Sequence, residues 1–97
     1  MGRAYVGPVP TVLITGTSTG IGRACVTRLA TRGWTVFATV RRADDADRVK
    51  AESPGDVRPV LLDVADRDRM RDVIRELADD PTITGLDGLV SNAGVGD

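Results

Sequence analysis

The sequence predicts an α/β protein built on a doubly wound parallel sheet, with elements in the order βαβαβαβ. Three observations predict it. Four short apolar runs alternate with three helix-like stretches along the 97 residues. A glycine-rich segment, Thr15-Gly16-Thr17-Ser18-Thr19-Gly20-Ile21-Gly22, joins the first run to the first helix. Polar turns, Asp63-Val64 and Ser91-Asn92-Ala93-Gly94, follow the third and fourth runs. Strands that alternate with helices pair in parallel through right-handed crossovers. The expected strand order is 3-2-1-4. Winding then reverses between strands 1 and 4, and the ligand crevice opens there.

The elements follow from local chemistry. Residues 11–15 are apolar, rich in β-branched side chains and bounded by Pro10 and Gly16, which reads as a buried first strand. The first helix is expected over residues 20–31, with Ile21, Ala24, Cys25 and Leu29 on its packed face and Gly33 as its C-terminal cap. Cys25 reads as a small buried apolar side chain or as a reactive thiol. Residues 34–40 form the second strand and end at Arg41-Arg42. Residues 43–51 make a weak helix whose one large apolar residue is Val49, and Ser53-Pro54-Gly55-Asp56 is a turn. Residues 57–62 form the third strand, and Pro59 suggests an edge position. Asp66 is a good N-cap for the third helix, in which Met70, Val73, Ile74 and Leu77 recur at amphipathic spacing. Residues 86–90 give a fourth strand.

Composition narrows the function. The net charge of −1 gives no reason to invoke nucleic acid or an anionic membrane. No apolar run approaches the ~20 residues that span a bilayer. The sequence has no histidine and one cysteine, which argues against a His/Cys metal site and a Ser-His-Asp triad. A lone cysteine fits a reducing, cytoplasmic setting. Residues 1–10 read as a flexible lead-in, and residues 11–97 as one domain.

The glycine-rich segment carries the chemistry. Glycine allows backbone angles and close approaches that a Cβ would block. The turn delivers a ligand to a helix N-terminus, where unpaired N–H groups and the dipole favour a pyrophosphate. Strand, glycine turn and helix in that order is how a Rossmann-type sheet holds a dinucleotide.

The residues at this point resemble the classical short-chain dehydrogenases/reductases, over about residues 11–94. The loop has that family's Thr-Gly-x-x-x-Gly-Ile-Gly spacing. Leu62-Asp63-Val64 is similar to its adenine-contact motif, and Ser91-Asn92-Ala93-Gly94 to its Asn-Asn-Ala-Gly motif, with Ser91 in place of the first Asn. The run from Val36 to Arg41 further resembles the retinol and hydroxysteroid dehydrogenase branch. The resemblance implies that Gly16, Ser18, Thr19, Gly20, Ile21 and Gly22 cradle the pyrophosphate and ribose. It implies that Asp63 meets the adenine amino group beside Val64, and that Asn92, Ala93 and Gly94 shape the floor under the ribose. Asp63 has a second reading, as a residue that ends a strand or caps a turn, and Gly94 as a turn residue only.

Cofactor choice turns on the end of the second strand. NAD-preferring folds place a carboxylate about 20 residues past the glycine loop, against the ribose 2′-OH. Here Val40 offers none and Arg41 comes next. A guanidinium there favours a 2′-phosphate, so NADP(H) is expected over NAD(H), with Arg41 as the main determinant and Ser18 as a helper. The alternative is that Arg41 and Arg42 are a solvated surface pair.

The resemblance also implies a catalytic Ser and a Tyr-x-x-x-Lys pair. The only Tyr is Tyr5 and the only Lys is Lys50, and neither fits, so no catalytic residue is assigned here. The expectation is the N-terminal, cofactor-binding part of a longer oxidoreductase, inactive alone. The whole enzyme would act on a small alcohol/carbonyl pair and form a homo-oligomer. Two alternatives stand beside it: a non-catalytic nucleotide-binding regulator or scaffold, and an epimerase or dehydratase on the same fold.

Overall fold

A computed structural model describes residues 9–17, 20–63, 65–83 and 85–91. The lead-in over residues 1–8, Ser18, Thr19, Val64 and the motif residues Asn92, Ala93 and Gly94 lie outside the described residues.

Seven elements alternate as the sequence predicts: β1 (Thr11–Ile14), α1 (Gly20–Thr31), β2 (Thr35–Val40), α2 (Ala43–Glu52), β3 (Val57–Leu61), α3 (Arg67–Ala78) and β4 (Gly88–Val90). The four strands are parallel, in the order β3-β2-β1-β4. Thr11 pairs with Thr35, Val12 with Gly88 and Val36 with Val57, which sets the register across the sheet. Pro59 sits on the edge strand β3, opposite Ala38, as a residue without an N–H should.

Period-two alternation divides the core between two faces. Val12, Ile14, Val36, Ala38 and Val40 face α1 and α2 and pack on Val26, Ala30 and Val49, with Val57. Leu13 and Phe37 face α3 and pack on Leu62, Val73 and Leu77. Two crossover helices thus cover one face and the third covers the other, as winding in two directions requires.

Helix ends follow the capping residues. Gly33 adopts φ 93° after α1; its N–H donates to the Ala30 carbonyl (3.0 Å) and the Trp34 N–H to that of Leu29 (3.1 Å). That pair of bonds is a Schellman motif, and Leu29 and Trp34 both pack against the same core. It also explains why β2 starts at Thr35 and not at Trp34: the Trp34 N–H is spent on the cap. Before α3, Asp66 accepts from the Arg69 N–H at 3.0 Å, a side-chain N-cap. Gly55 adopts φ 71°, and a Cβ there would lie 2.8 Å from the Ala30 carbonyl oxygen. The turn into β3 therefore needs glycine for both angle and space.

Several expectations are corrected. The packed face of α1 is Gly22, Val26 and Ala30, not the Ile21-Ala24-Cys25-Leu29 stripe. Small residues at i, i+4 and i+8 let the helix lie close on the sheet, while Cys25 and Leu29 are half-buried at its margin. Ile21 is 73 % exposed. In α3, Val73 and Leu77 are buried, Met70 packs partly buried against the same core, and Ile74 lies on the exposed shoulder. Strand β1 stops at Ile14 and β3 at Leu61, one residue early in each case; Thr15 and Leu62 stay buried and bonded past the regular ladder. Strand β4 begins at Gly88, two residues late. Just before it, the Asp87 N–H donates to the Thr11 carbonyl (2.8 Å), and its Oδ2 accepts from the Thr11 N–H (2.8 Å).

Candidate functional site

The carboxyl ends of the strands form one continuous row. Hydrogen bonds past the regular ladder stitch them together. The Leu62 N–H donates to the Val40 carbonyl at 2.9 Å, tying the end of β3 to the end of β2. Thr17 reaches the Thr39 carbonyl twice, from its N–H (3.3 Å) and from its Oγ1 hydroxyl (2.9 Å). Thr15 reaches the Val90 carbonyl from its N–H (3.0 Å) and from Oγ1 (3.4 Å). The loop after β1 is thus anchored to β2 on one side and to β4 on the other, where winding reverses.

Within that loop Gly16 has φ 65° and Gly20 has φ 66°. A Cβ at Gly20 would meet nothing within 4 Å, so glycine is needed there for its angle and not for space. Gly20 opens α1, and Gly22 is buried in its first turn. That first turn carries no acidic residue, whereas α2 has Asp44 and Asp45 and α3 has Asp68. No acidic side chain of that turn competes with an anion for the backbone donors and dipole at the start of α1. Exposed Ile21 gives an apolar surface beside them.

At the end of β2 the two arginines have different partners. Arg42 donates from Nε to Asp44 Oδ1 (3.3 Å) and from Nη2 to Oδ2 (3.5 Å). The Arg42 charge holds the Asp44 carboxyl below the usual carboxylate range. Arg41 is exposed and, among the described residues, pairs with no acid. At the end of β3, Asp63 is exposed; its Oδ1 accepts from the Ala65 N–H (2.9 Å), and its carbonyl accepts from the Asp66 N–H (2.9 Å). The turn-capping reading of Asp63 is thus present in the structure.

Of the site residues predicted from sequence, the structure places Gly16, Gly20, Ile21, Gly22, Arg41 and Asp63 along this one edge. Ser18, Thr19, Val64, Asn92, Ala93 and Gly94 lie outside the described residues. Sequence reasoning did not single out Thr15 and Thr17. A hydroxyl on each side of Gly16, immediately past a strand, is the signal that could have found them.

A family model of the short chain dehydrogenases matches residues 10–97. The chain belongs to the short chain dehydrogenase family. An uncharacterised oxidoreductase of Myxococcus xanthus is 46 % identical over 89 residues, which cover 89 % of this chain and 34 % of that protein. The cyclic-di-GMP-binding biofilm dispersal mediator protein of Escherichia coli is 43 % identical over 86 residues, covering 89 % of this chain and 33 % of its own length. The crystal structure of a short-chain dehydrogenase from Streptomyces avermitilis superposes with a TM-score of 0.78 at 34 % identity, over 89 % of this chain and 30 % of that one. The chain thus spans about a third of the length of these relatives. Its Rossmann-type order β3-β2-β1-β4 is the arrangement expected of an NAD(P)-binding fold. Among the described residues no helix is long and apolar enough to cross a membrane.

Proposed function

We propose that this chain binds the adenosine and pyrophosphate portion of NADP(H) in a cytoplasmic, homo-oligomeric oxidoreductase that acts on a small alcohol/carbonyl pair. The observation that carries the reading is the acid-free start of α1, held by Thr15 and Thr17 between the ends of β4 and β2, with uncompensated Arg41 next to it. Gly16, Gly20 and Gly22, with Ser18 and Thr19, hold the pyrophosphate. Arg41 meets the 2′-phosphate, with Ser18 as its helper. Asp63 keeps Oδ1 on the Ala65 N–H and offers its other oxygen to the adenine amino group, beside Val64. Asn92, Ala93 and Gly94 floor the ribose. The cofactor supplies the hydride chemistry. None of the 97 residues forms a Tyr-x-x-x-Lys pair, so the role proposed for them is binding and orientation.

Arg41 gives the direct test. A charge-assisted hydrogen bond contributes about 1.5–3 kcal/mol, which corresponds to a preference of ~10–100-fold. In the full-length protein, NADPH is expected to bind that much more tightly than NADH. Arg41→Ala should abolish most of the difference. An NADP/NAD affinity ratio that survives the substitution sinks the assignment.

A second reading has one observation in its favour. The E. coli relative is named for binding a cyclic dinucleotide, so a nucleotide-binding regulator on the same fold is the runner-up. Turnover of a carbonyl substrate with NADPH by the full-length protein separates the two.

A further inference from the structure

The two arginines after β2 are adjacent in sequence, yet among the described residues only one of them pairs with an acid. Arg42 is clasped through Nε and Nη2 by both oxygens of Asp44. Asp44 is itself held in place, because its Oδ1 also accepts from the Asp45 N–H at 3.0 Å. The next acid along α2, Asp45, is taken by Arg48. The first two acids of α2 are therefore already matched, and among the described residues Arg41 pairs with no acid. Thr17, through its bonds to the Thr39 carbonyl, places the glycine loop two residues from Arg41.

From this arrangement we infer that Asp44 is a positioning residue for cofactor discrimination: by clasping Arg42 it withholds the second guanidinium from the 2′-phosphate and leaves a one-arginine site. The inference rests on the proposed NADP(H) reading and deepens it. Both members of the pair are well exposed, with side chains 74 % and 66 % accessible, so the clasp is weak and reversible. A weak clasp suits a modulating role. It lowers the gain from a 2′-phosphate without disturbing the fold. The Arg42 charge lowers the Asp44 pKa, which agrees with a carboxylate that stays charged and keeps its grip through the physiological range.

The probes are 2′,5′-ADP and 5′-ADP, which differ only by the 2′-phosphate, titrated calorimetrically into the full-length protein. The readout is the ratio of their affinities. Asp44→Asn retains an oxygen for the Asp45 N–H and removes the charge. It should raise the ratio by about two- to five-fold, the range set by an exposed ion pair. Arg42→Ala alone should leave the ratio within about 1.5-fold, because that guanidinium is not engaged while Asp44 holds it. In the double variant Arg42→Ala/Asp44→Asn the gain should vanish, and Asp44→Glu should keep the wild-type ratio. No gain in Asp44→Asn overturns the inference. So does a gain that persists without Arg42, since Asp44 would then act by its own charge alone. If Arg41→Ala leaves the ratio unchanged, the NADP(H) reading itself fails. Loss of preference in Arg41→Ala with no response in Asp44→Asn rejects only the positioning role.

Discussion

Thr17 shows how one side chain can decide where a ligand loop sits. Its hydroxyl is fully buried and donates to a β2 carbonyl that its own backbone N–H also reaches. Glycines flank it at positions 16 and 20 with positive φ, so the loop has freedom on both sides and needs an anchor between them. Thr17→Val keeps the shape and removes the hydroxyl. The Thr39 carbonyl keeps its backbone donor, so the stability cost should be about 1 kcal/mol, that of one hydrogen bond. Nucleotide affinity should fall further than stability, by about three- to ten-fold, because part of the anchoring is lost exactly where the pyrophosphate is proposed to sit. Thermal melting and NADPH titration of the same variant check this. An affinity loss no greater than that expected from unfolding would remove Thr17 from the site.

At the scale of elements, β3 is braced from outside the sheet. Asp56 precedes it and accepts from Arg58 Nε and Nη2, both at 3.0 Å, and from the Thr35 hydroxyl at 3.3 Å. Arg58 also donates to the Thr82 hydroxyl at 2.8 Å and lies 5.5 Å from the centroid of the Phe37 ring. The edge strand is thus tied to β2 and to the segment after α3 by one guanidinium. The hydrogen bond from Arg58 is the main cause that holds the Asp56 pKa below the ordinary carboxyl value; for Asp80 the main cause is the hydrogen bond from Thr82. A carboxyl whose folded pKa is depressed stabilises the fold above its unfolded value of about 3.9 and loses that contribution as pH falls through the folded value. The melting temperature of the wild type should therefore exceed that of Asp56→Asn between pH 5 and 7, and the gap should close as the pH falls through the lowered carboxyl value. Solvent screening of the half-exposed pair keeps the gap small. A gap that persists unchanged in acid would mean that Asp56 acts through geometry and not through charge.

Much of this level was legible in the sequence. The element order, the Gly33 cap, the Asp66 cap and the edge signal of Pro59 follow from residues acting within a turn or two of themselves, and the strand order from the β/α alternation with right-handed crossovers. The packed face of α1 was not, because Gly22, Val26 and Ala30 outcompete larger side chains only when the sheet is present to be approached closely. The clasp of Thr11 by Asp87, and the separate fates of Arg41 and Arg42, depend on groups whose neighbours the spacing of apolar residues does not reveal.

Among the described residues, the two outer strands of the sheet differ in how they are protected. Each carries an exposed leucine, Leu61 at 50 % on β3 and Leu89 at 51 % on β4. Exposed apolar edges invite pairing with another chain unless something blunts them. Strand β3 has such devices: Pro59 lacks a donor, and Arg58 brings charge and a tether. In β4, Gly88-Leu89-Val90, no proline or charged residue is present. The sheet should therefore associate through β4 in preference to β3. For this 97-residue chain, Leu89→Lys should reduce concentration-dependent self-association in sedimentation, while Leu61→Lys should change it little. Both side chains are about half exposed, so neither substitution should cost more than about 0.5 kcal/mol in stability. Equal relief from the two variants would show that exposed apolar area alone drives association, and that the proline and arginine of β3 do not protect its edge.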